Sequence, residues 1–318
     1  MDCYAATPDH LKPLLSLLLR PDLTLVKCLC AVAPKATIDS ISFAVVNLFE
    51  TSGRSMDLLS FMIDHEFSVC NAPNNLFRDN TFSSKSLSAY NKIVTTSYLR
   101  KTLRPLVYSL YYTDASLELE AGKLSPGESI EENVKNITAV VQMFMVKIFR
   151  SIEMYPLSCR FICHQLMAKA KKHFPNEIHL PYSLAGTFFF LRFICPAIVF
   201  PDKCGVWDLE VPPPTRRALT LISKILQRLT IRAESSASKE DLAPMKDFFA
   251  EQSEKGTMKM FFDLMGTPPV LEEIKCGSFK TFFSFFCVCN LSFFHFDETF
   301  SDFFPFTIPQ RRDYRRAA

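Results

Sequence analysis

Apolar residues recur at three- and four-residue intervals along most of the chain, the spacing that gathers them on one face of an α-helix. Between residues 9 and 67 the runs are Leu11, Leu14, Leu15 and Leu18, then Leu25, Leu29 and Val32, then Ile41, Val45 and Leu48. Pro21, Pro34 and Gly53 fall between the runs, so the pattern predicts short packed helices. Residues 71–80 break the period. Asn, Pro and Asp crowd this stretch while Leu76, Phe77 and Arg78 interrupt its polarity, which predicts an exposed loop with an apolar anchor. A helix follows, capped by Asn80 or Thr81, with Leu87, Tyr90 and Val94 on one face.

Further on, Ser125-Pro126-Gly127-Glu128 reads as a helix start with Ser as cap, Pro in the first turn and Glu closing a capping box. Ile130, Val134, Ile137, Val141, Phe144 and Ile148 line one face of that helix, and Glu128, Glu131 and Glu132 sit where the helix dipole favours negative charge. From Pro181 to Pro196 the pattern is apolar on nearly every side, as in a helix buried mid-domain. After Pro212, Pro213 and Pro214, Thr215 is positioned to cap an amphipathic helix marked by Leu219, Ile222, Leu226 and Leu229, with Arg217, Lys224 and Arg228 opposite. Past about Pro269 phenylalanines accumulate with neither a helical nor a strand period. The expected organisation is one helical domain over 1–275, with 276–318 as a Phe-rich tail outside it.

Composition sharpens this picture in three ways. Eight Gly and one Trp among 318 residues disfavour a dinucleotide fold or a β-sandwich, so the expected class is all-α. A net charge of +3 is too small to imply nucleic-acid or membrane binding by bulk electrostatics. The eleven cysteines are scattered, without zinc-ligand spacing beside histidine, which fits reduced thiols in the cytoplasm. The N-terminus lacks the pattern of a secretory signal, and the longest uncharged stretch, 281–296, is short for a membrane span. No G-x-x-x-x-G-K loop is present, so nucleotide binding by the chain itself is not expected.

One residue poses a chemical question. Arg192 is the lone charge in the 181–196 run, and a guanidinium in an apolar helix costs several kcal/mol unless its donors are paired. It can donate to the carbonyls of a nearby loop and fix that loop's shape; it can equally be a satisfied arginine that bridges helices.

The residues around these points carry a resemblance. Leu76-Phe77-Arg78-Asp79-Asn80, with Ser84-Lys85 beyond, is similar to the finger loop of Ras GTPase-activating domains, and Phe190-Leu191-Arg192-Phe193-Ile194-Cys195-Pro196-Ala197 is similar to their signature block. Ser223-Lys224-Ile225-Leu226-Gln227 and Glu128-Ser129-Ile130-Glu131-Glu132-Asn133 resemble the neurofibromin branch most closely. The resemblance covers roughly residues 9–269. It implies an irregular multi-helix domain with a shallow groove for the GTP-bound form of a Ras-family GTPase. It gives the catalytic positions to Arg78, the finger, and to Arg192, its brace. Leu76, Phe77, Asn80, Leu191, Cys195, Pro196 and Lys224 become partner contacts. GTP and Mg²⁺ would belong to the partner, and no cofactor or metal of the chain's own is implied, nor nucleic-acid binding or membrane insertion. The expected location is the cytoplasm, with recruitment to membranes that carry the GTPase. One departure stands out: neurofibromin-like domains usually have Gly after the finger arginine, and this chain has Asp79. A non-catalytic binding module with the same groove is the rival reading.

Overall fold

The computed structural model describes residues 12–70, 72–113, 115–230 and 240–268, and among these the regular structure is entirely helical, with no strand. The tail and the boundary at 275 lie outside the described residues. Helices α1 (Lys12–Leu18), α2 (Thr24–Val32), α3 (Ile38–Thr51) and α4 (Ser55–Val69) are the short packed elements that the N-terminal pattern predicts. They differ in depth. Only Leu15 of α1 and Val26 of α2 are buried within their helices, whereas α3 sinks Val45, Val46 and Phe49, and α4 sinks Leu58, Leu59, Met62 and Ile63.

Helix α5 (Phe82–Val94) packs against α3 and α4, with Thr81 as its cap: the Thr81 hydroxyl accepts from the Ser84 amide at 3.1 Å. Next come α6 (Thr96–Tyr111), α7 (Ile130–Arg150) and α8 (Leu157–His173). The start of α7 corrects the sequence reading. The chain contains two consecutive Ser-x-x-Glu boxes, at 125 and at 129, and the helix uses the second, where the Ser129 hydroxyl accepts from the Glu132 amide at 3.1 Å. Gly127 decides between them, because its φ of 91° is incompatible with a right-handed helix. The first box survives as a turn in which the Ser125 amide donates to the Glu128 carboxylate at 3.1 Å.

The apolar run after His179 forms a rod in three registers: α9 (Leu180–Gly186), a π-helical stretch (Thr187–Ile194) and α10 (Cys195–Val199). The rod thus continues past Pro196 instead of ending there. The widened turns before Pro196 shift the hydrogen-bond ladder, so the proline's missing N–H falls in the first turn of α10, where no donor is needed. Tyr155 meets Phe189 edge-on at 5.0 Å, and Phe190 meets Phe262 of α13 (Thr257–Met265) edge-on at 6.0 Å, so aromatic rings sheathe the rod. By length and hydropathy the rod could cross a membrane, but 67% of its apolar window is buried within the fold. At Gly186 the rod lies close against α11 (Pro213–Thr230), and a Cβ there would lie 2.2 Å from the Thr230 methyl. Helix α11 also starts earlier than expected. Pro213 and Pro214 occupy its first turn, Thr215 lies inside it, and the first hydrogen bond runs from the Arg216 amide to the Pro212 carbonyl at 2.9 Å. Helix α12 (Lys246–Glu254) and α13 complete the described fold.

A polar brace ties the largely irregular segment between α6 and α7 to α11. Arg217 forks onto both Glu118 oxygens at 2.8 Å each, and Glu118 also accepts from the Leu119 and Glu120 amides at 2.9 Å. Chiefly through the Arg217 bonds, against the opposing effect of burial, the Glu118 carboxyl is held down at about 2. Because the folded value lies below the unfolded one, the stabilisation is present above about pH 4.5 and fades as pH falls toward 2. Glu118→Gln is expected to reduce the unfolding free energy by about 2 kcal/mol near neutral pH. Urea titrations of both forms between pH 7 and pH 3 check this: the gap should narrow with acidity, and a gap independent of pH would contradict it.

Candidate functional site

Between α4 and α5 the chain reverses through a 3₁₀ turn at Pro73–Asn75. The Arg78 amide closes onto the Asn75 carbonyl at 3.1 Å. Leu76 and Phe77 are 1% and 4% exposed, and the Phe77 ring meets Phe67 of α4 edge-on at 6.1 Å. Burial makes these two side chains the apolar anchor under the loop that the sequence pattern predicts. Phe77 has φ of 54°, a left-handed conformation that costs a side-chain-bearing residue about 1 kcal/mol. After this reversal Arg78, Asp79 and Asn80 are exposed.

Something must hold such a loop in place, and Arg192 does so from the rod. Its Nε and Nη2 donate to the Phe77 carbonyl at 3.1 and 2.6 Å, and Nη2 reaches the Arg78 and Asp79 carbonyls at 2.9 and 3.3 Å. Of the two readings left open for the buried arginine, the loop brace is the one the structure contains. Burial pulls the Arg192 pKa down, and the nearby Glu66 and Asp79 carboxylates push it back up. Ser84 completes the lower edge of the loop by donating its hydroxyl to the Asp79 carbonyl at 2.7 Å.

The sequence reading missed Glu66. This α4 residue is 3% exposed, and its carboxylate accepts from the Phe77 amide at 3.1 Å and from the Thr81 hydroxyl at 2.9 Å. It follows Asp64 and His65 and looks like part of a solvated face. The available signal was its place in the last turn of α4, where the helix dipole disfavours a carboxylate.

The remaining candidates divide by depth. Leu191 is half-buried, and Pro196 is exposed on the same rod as Arg192. Cys195 is 1% exposed; its thiol donates to the Ser223 carbonyl at 3.8 Å, and burial pushes its pKa up to about 12. It is a packing contact between the rod and α11. That same contact sets Lys224, half-buried on α11, next to the rod. Cys159 and Cys163 are buried along α8, and burial raises both thiols, so neither is poised as a nucleophile. No cluster of three or more potential metal ligands exists among the described residues.

The family model for the GTPase-activator protein for Ras-like GTPase matches residues 58–127 and 125–230, which hold the loop, the rod and all of α11. The "Probable Ras GTPase-activating-like protein ngap" of Dictyostelium discoideum is 32% identical over 262 residues, 81% of this chain and 29% of that protein. The "Ras GTPase-activating protein 3" of Bos taurus is 30% identical over 230 residues, 70% of this chain and 27% of that protein. The "Inhibitory regulator protein IRA2" of Saccharomyces cerevisiae is 28% identical over 226 residues, 71% of this chain and 7% of that protein. The chain thus spans less than a third of the length of these relatives. By its sequence match and by the helical fold that carries the loop, the chain belongs to the family of GTPase-activator proteins for Ras-like GTPases.

Proposed function

We propose that this chain stimulates GTP hydrolysis by a Ras-type small GTPase, supplying Arg78 to the partner's active site. One observation carries the reading: Arg192 directs its bonds to the carbonyls of residues 77–79, so the backbone under Arg78 is fixed while the Arg78 side chain stays exposed. A guanidinium presented in this way suits phosphoryl transfer. Charge spreads over the transferring group in the transition state, and a positioned, permanently charged fork stabilises it without reorganising. The GTP and Mg²⁺ are the partner's, and this chain acts in trans on the GTP-bound form. The activity belongs in the cytoplasm, beside membranes that carry the GTPase. Within the family, the neurofibromin-like reading rests on the residues at 128–133 and 223–227.

The direct test is single-turnover GTP hydrolysis by several Ras-type GTPases with and without the chain. Acceleration supports the reading. Tight binding to the GTP-loaded partner without acceleration would make the chain a binding module, an outcome that the Asp79 carboxylate beside the finger could favour by opposing the phosphate charge.

Lys224 serves a different step in this proposal. As a cation on the helix bordering the rod, it is expected to act on association with an acidic partner surface. Lys224→Glu should weaken binding about tenfold at low salt and less as salt rises. Titration of the GTP-loaded partner at two ionic strengths measures this, and unchanged affinity at low salt would assign Lys224 to the solvated helix face.

A further inference from the structure

Phe77 is held at both ends of its backbone by side chains of opposite charge. Its N–H donates to the buried Glu66 carboxylate at 3.1 Å, and its C=O accepts from Arg192 at 3.1 and 2.6 Å. Between these two contacts lies the left-handed φ of 54°. The Arg192 bond alone would not hold that conformation, because a carbonyl fixed at one end leaves the preceding N–H free to rotate with φ. Glu66 removes this freedom, and it reaches Thr81, the cap of α5, with its other oxygen. A single carboxylate thus joins the end of α4, the strained residue and the start of α5.

Resting on the activator reading above, we infer that Glu66 is a positioning residue for Arg78: it clamps the Phe77 amide and so sets the direction in which the next residue leaves the loop. Hydrogen bonding, more than charge, performs this task. Arg192 already has its donors on three carbonyls, and Asp79 lies close enough to offset part of its charge. Among the described residues, the Phe77 amide has the Glu66 carboxylate as its acceptor. An uncharged acceptor of the same length should therefore serve nearly as well.

Three variants separate the possibilities. Glu66→Gln keeps an acceptor at the same reach. Glu66→Met fills the same volume without one. Glu66→Asp withdraws the acceptor by one methylene at little cost in packing, and it replaces Met if that variant proves unfolded by thermal melting. Single-turnover hydrolysis by a saturated GTPase should fall about 10- to 100-fold for Met, and also for Asp, while Gln stays within about threefold of wild type. Affinity for the GTP-loaded partner should change less than about threefold in all of them, because the clamp steers one side chain and leaves the rest of the docking surface in place. Exchange of the Phe77 amide hydrogen should quicken in Met and Asp but not in Gln.

Wild-type rate in Met or Asp overturns the inference. So does an equal loss in Gln and Met, or a fall in affinity that matches the fall in rate. If the wild-type chain accelerates no GTPase, the activator reading falls, and amide exchange alone decides whether Glu66 clamps Phe77.

Discussion

Arg78→Ala is expected to lower single-turnover hydrolysis by about three orders of magnitude while affinity for the GTP-loaded GTPase changes little, the general scale for a finger supplied in trans. The asymmetry follows from where the side chain sits. Arg78 is exposed beyond its brace, and its deletion leaves the buried contacts of the loop, made by Leu76, Phe77 and the Arg192 donors, untouched. The lost interaction is one that strengthens only as charge develops on the phosphoryl group, so it appears in rate more than in binding. Arg78→Lys should recover little, because an ammonium lacks the planar fork that directs two hydrogen bonds at once. Rate and affinity measured side by side decide the matter. An Arg78→Ala protein that still accelerates hydrolysis as wild type does would remove the finger assignment and leave the binding-module reading.

Arg192→Ala should fail in a different way. Its loss strips the Phe77, Arg78 and Asp79 carbonyls of their guanidinium donor and leaves Glu66 without its nearby cation. Breaking one member of such a network is expected to cost about 2 to 4 kcal/mol, which for a domain of this size lowers the melting temperature by about 5 to 10 °C. Hydrolysis should fall as well, by about 10- to 100-fold, because Arg78 then leaves from a loop that samples several directions. Arg192→Lys should regain part of the stability and little of the rate, since a single ammonium cannot span three carbonyls in one geometry. Calorimetry beside single-turnover kinetics separates the two arginines: a stability loss for Arg78→Ala equal to that for Arg192→Ala would mean that the division of labour is wrong.

The sequence made much of this legible, and the gaps have physical causes. The all-helical class, the loop at 71–80 and the helix of α7 came from hydrophobic period and turn chemistry, which are local properties. Arg192 stood out because a charge in an apolar run demands partners, and carbonyls of a nearby loop were among the partners considered. Glu66 did not stand out, because a carboxylate among polar neighbours is ordinary until tertiary packing buries it. Leu76 and Phe77 are legible as the apolar anchor of the loop, but the left-handed φ at Phe77 that turns the chain back outward is not, since it is a property of the folded backbone. The two Ser-x-x-Glu boxes were equivalent as strings, and only the backbone at Gly127 distinguished them. The π register was hidden because a segment that is apolar on all sides looks the same at 3.6 and at 4.4 residues per turn.

That register has a consequence for what the segment can tolerate. Arg192 and Cys195 lie on either side of the change from π to α, and each must face its own target, the loop carbonyls for one and the Ser223 carbonyl for the other. Removing one residue between Arg192 and Cys195 while the turns kept their width would rotate one of these side chains against the other by roughly 80°. Either the guanidinium or the thiol would then point into the wrong neighbour. The number of residues between Gly186 and Cys195 works like the tooth count of a gear, and it constrains this family member more tightly than the identity of any phenylalanine in the run.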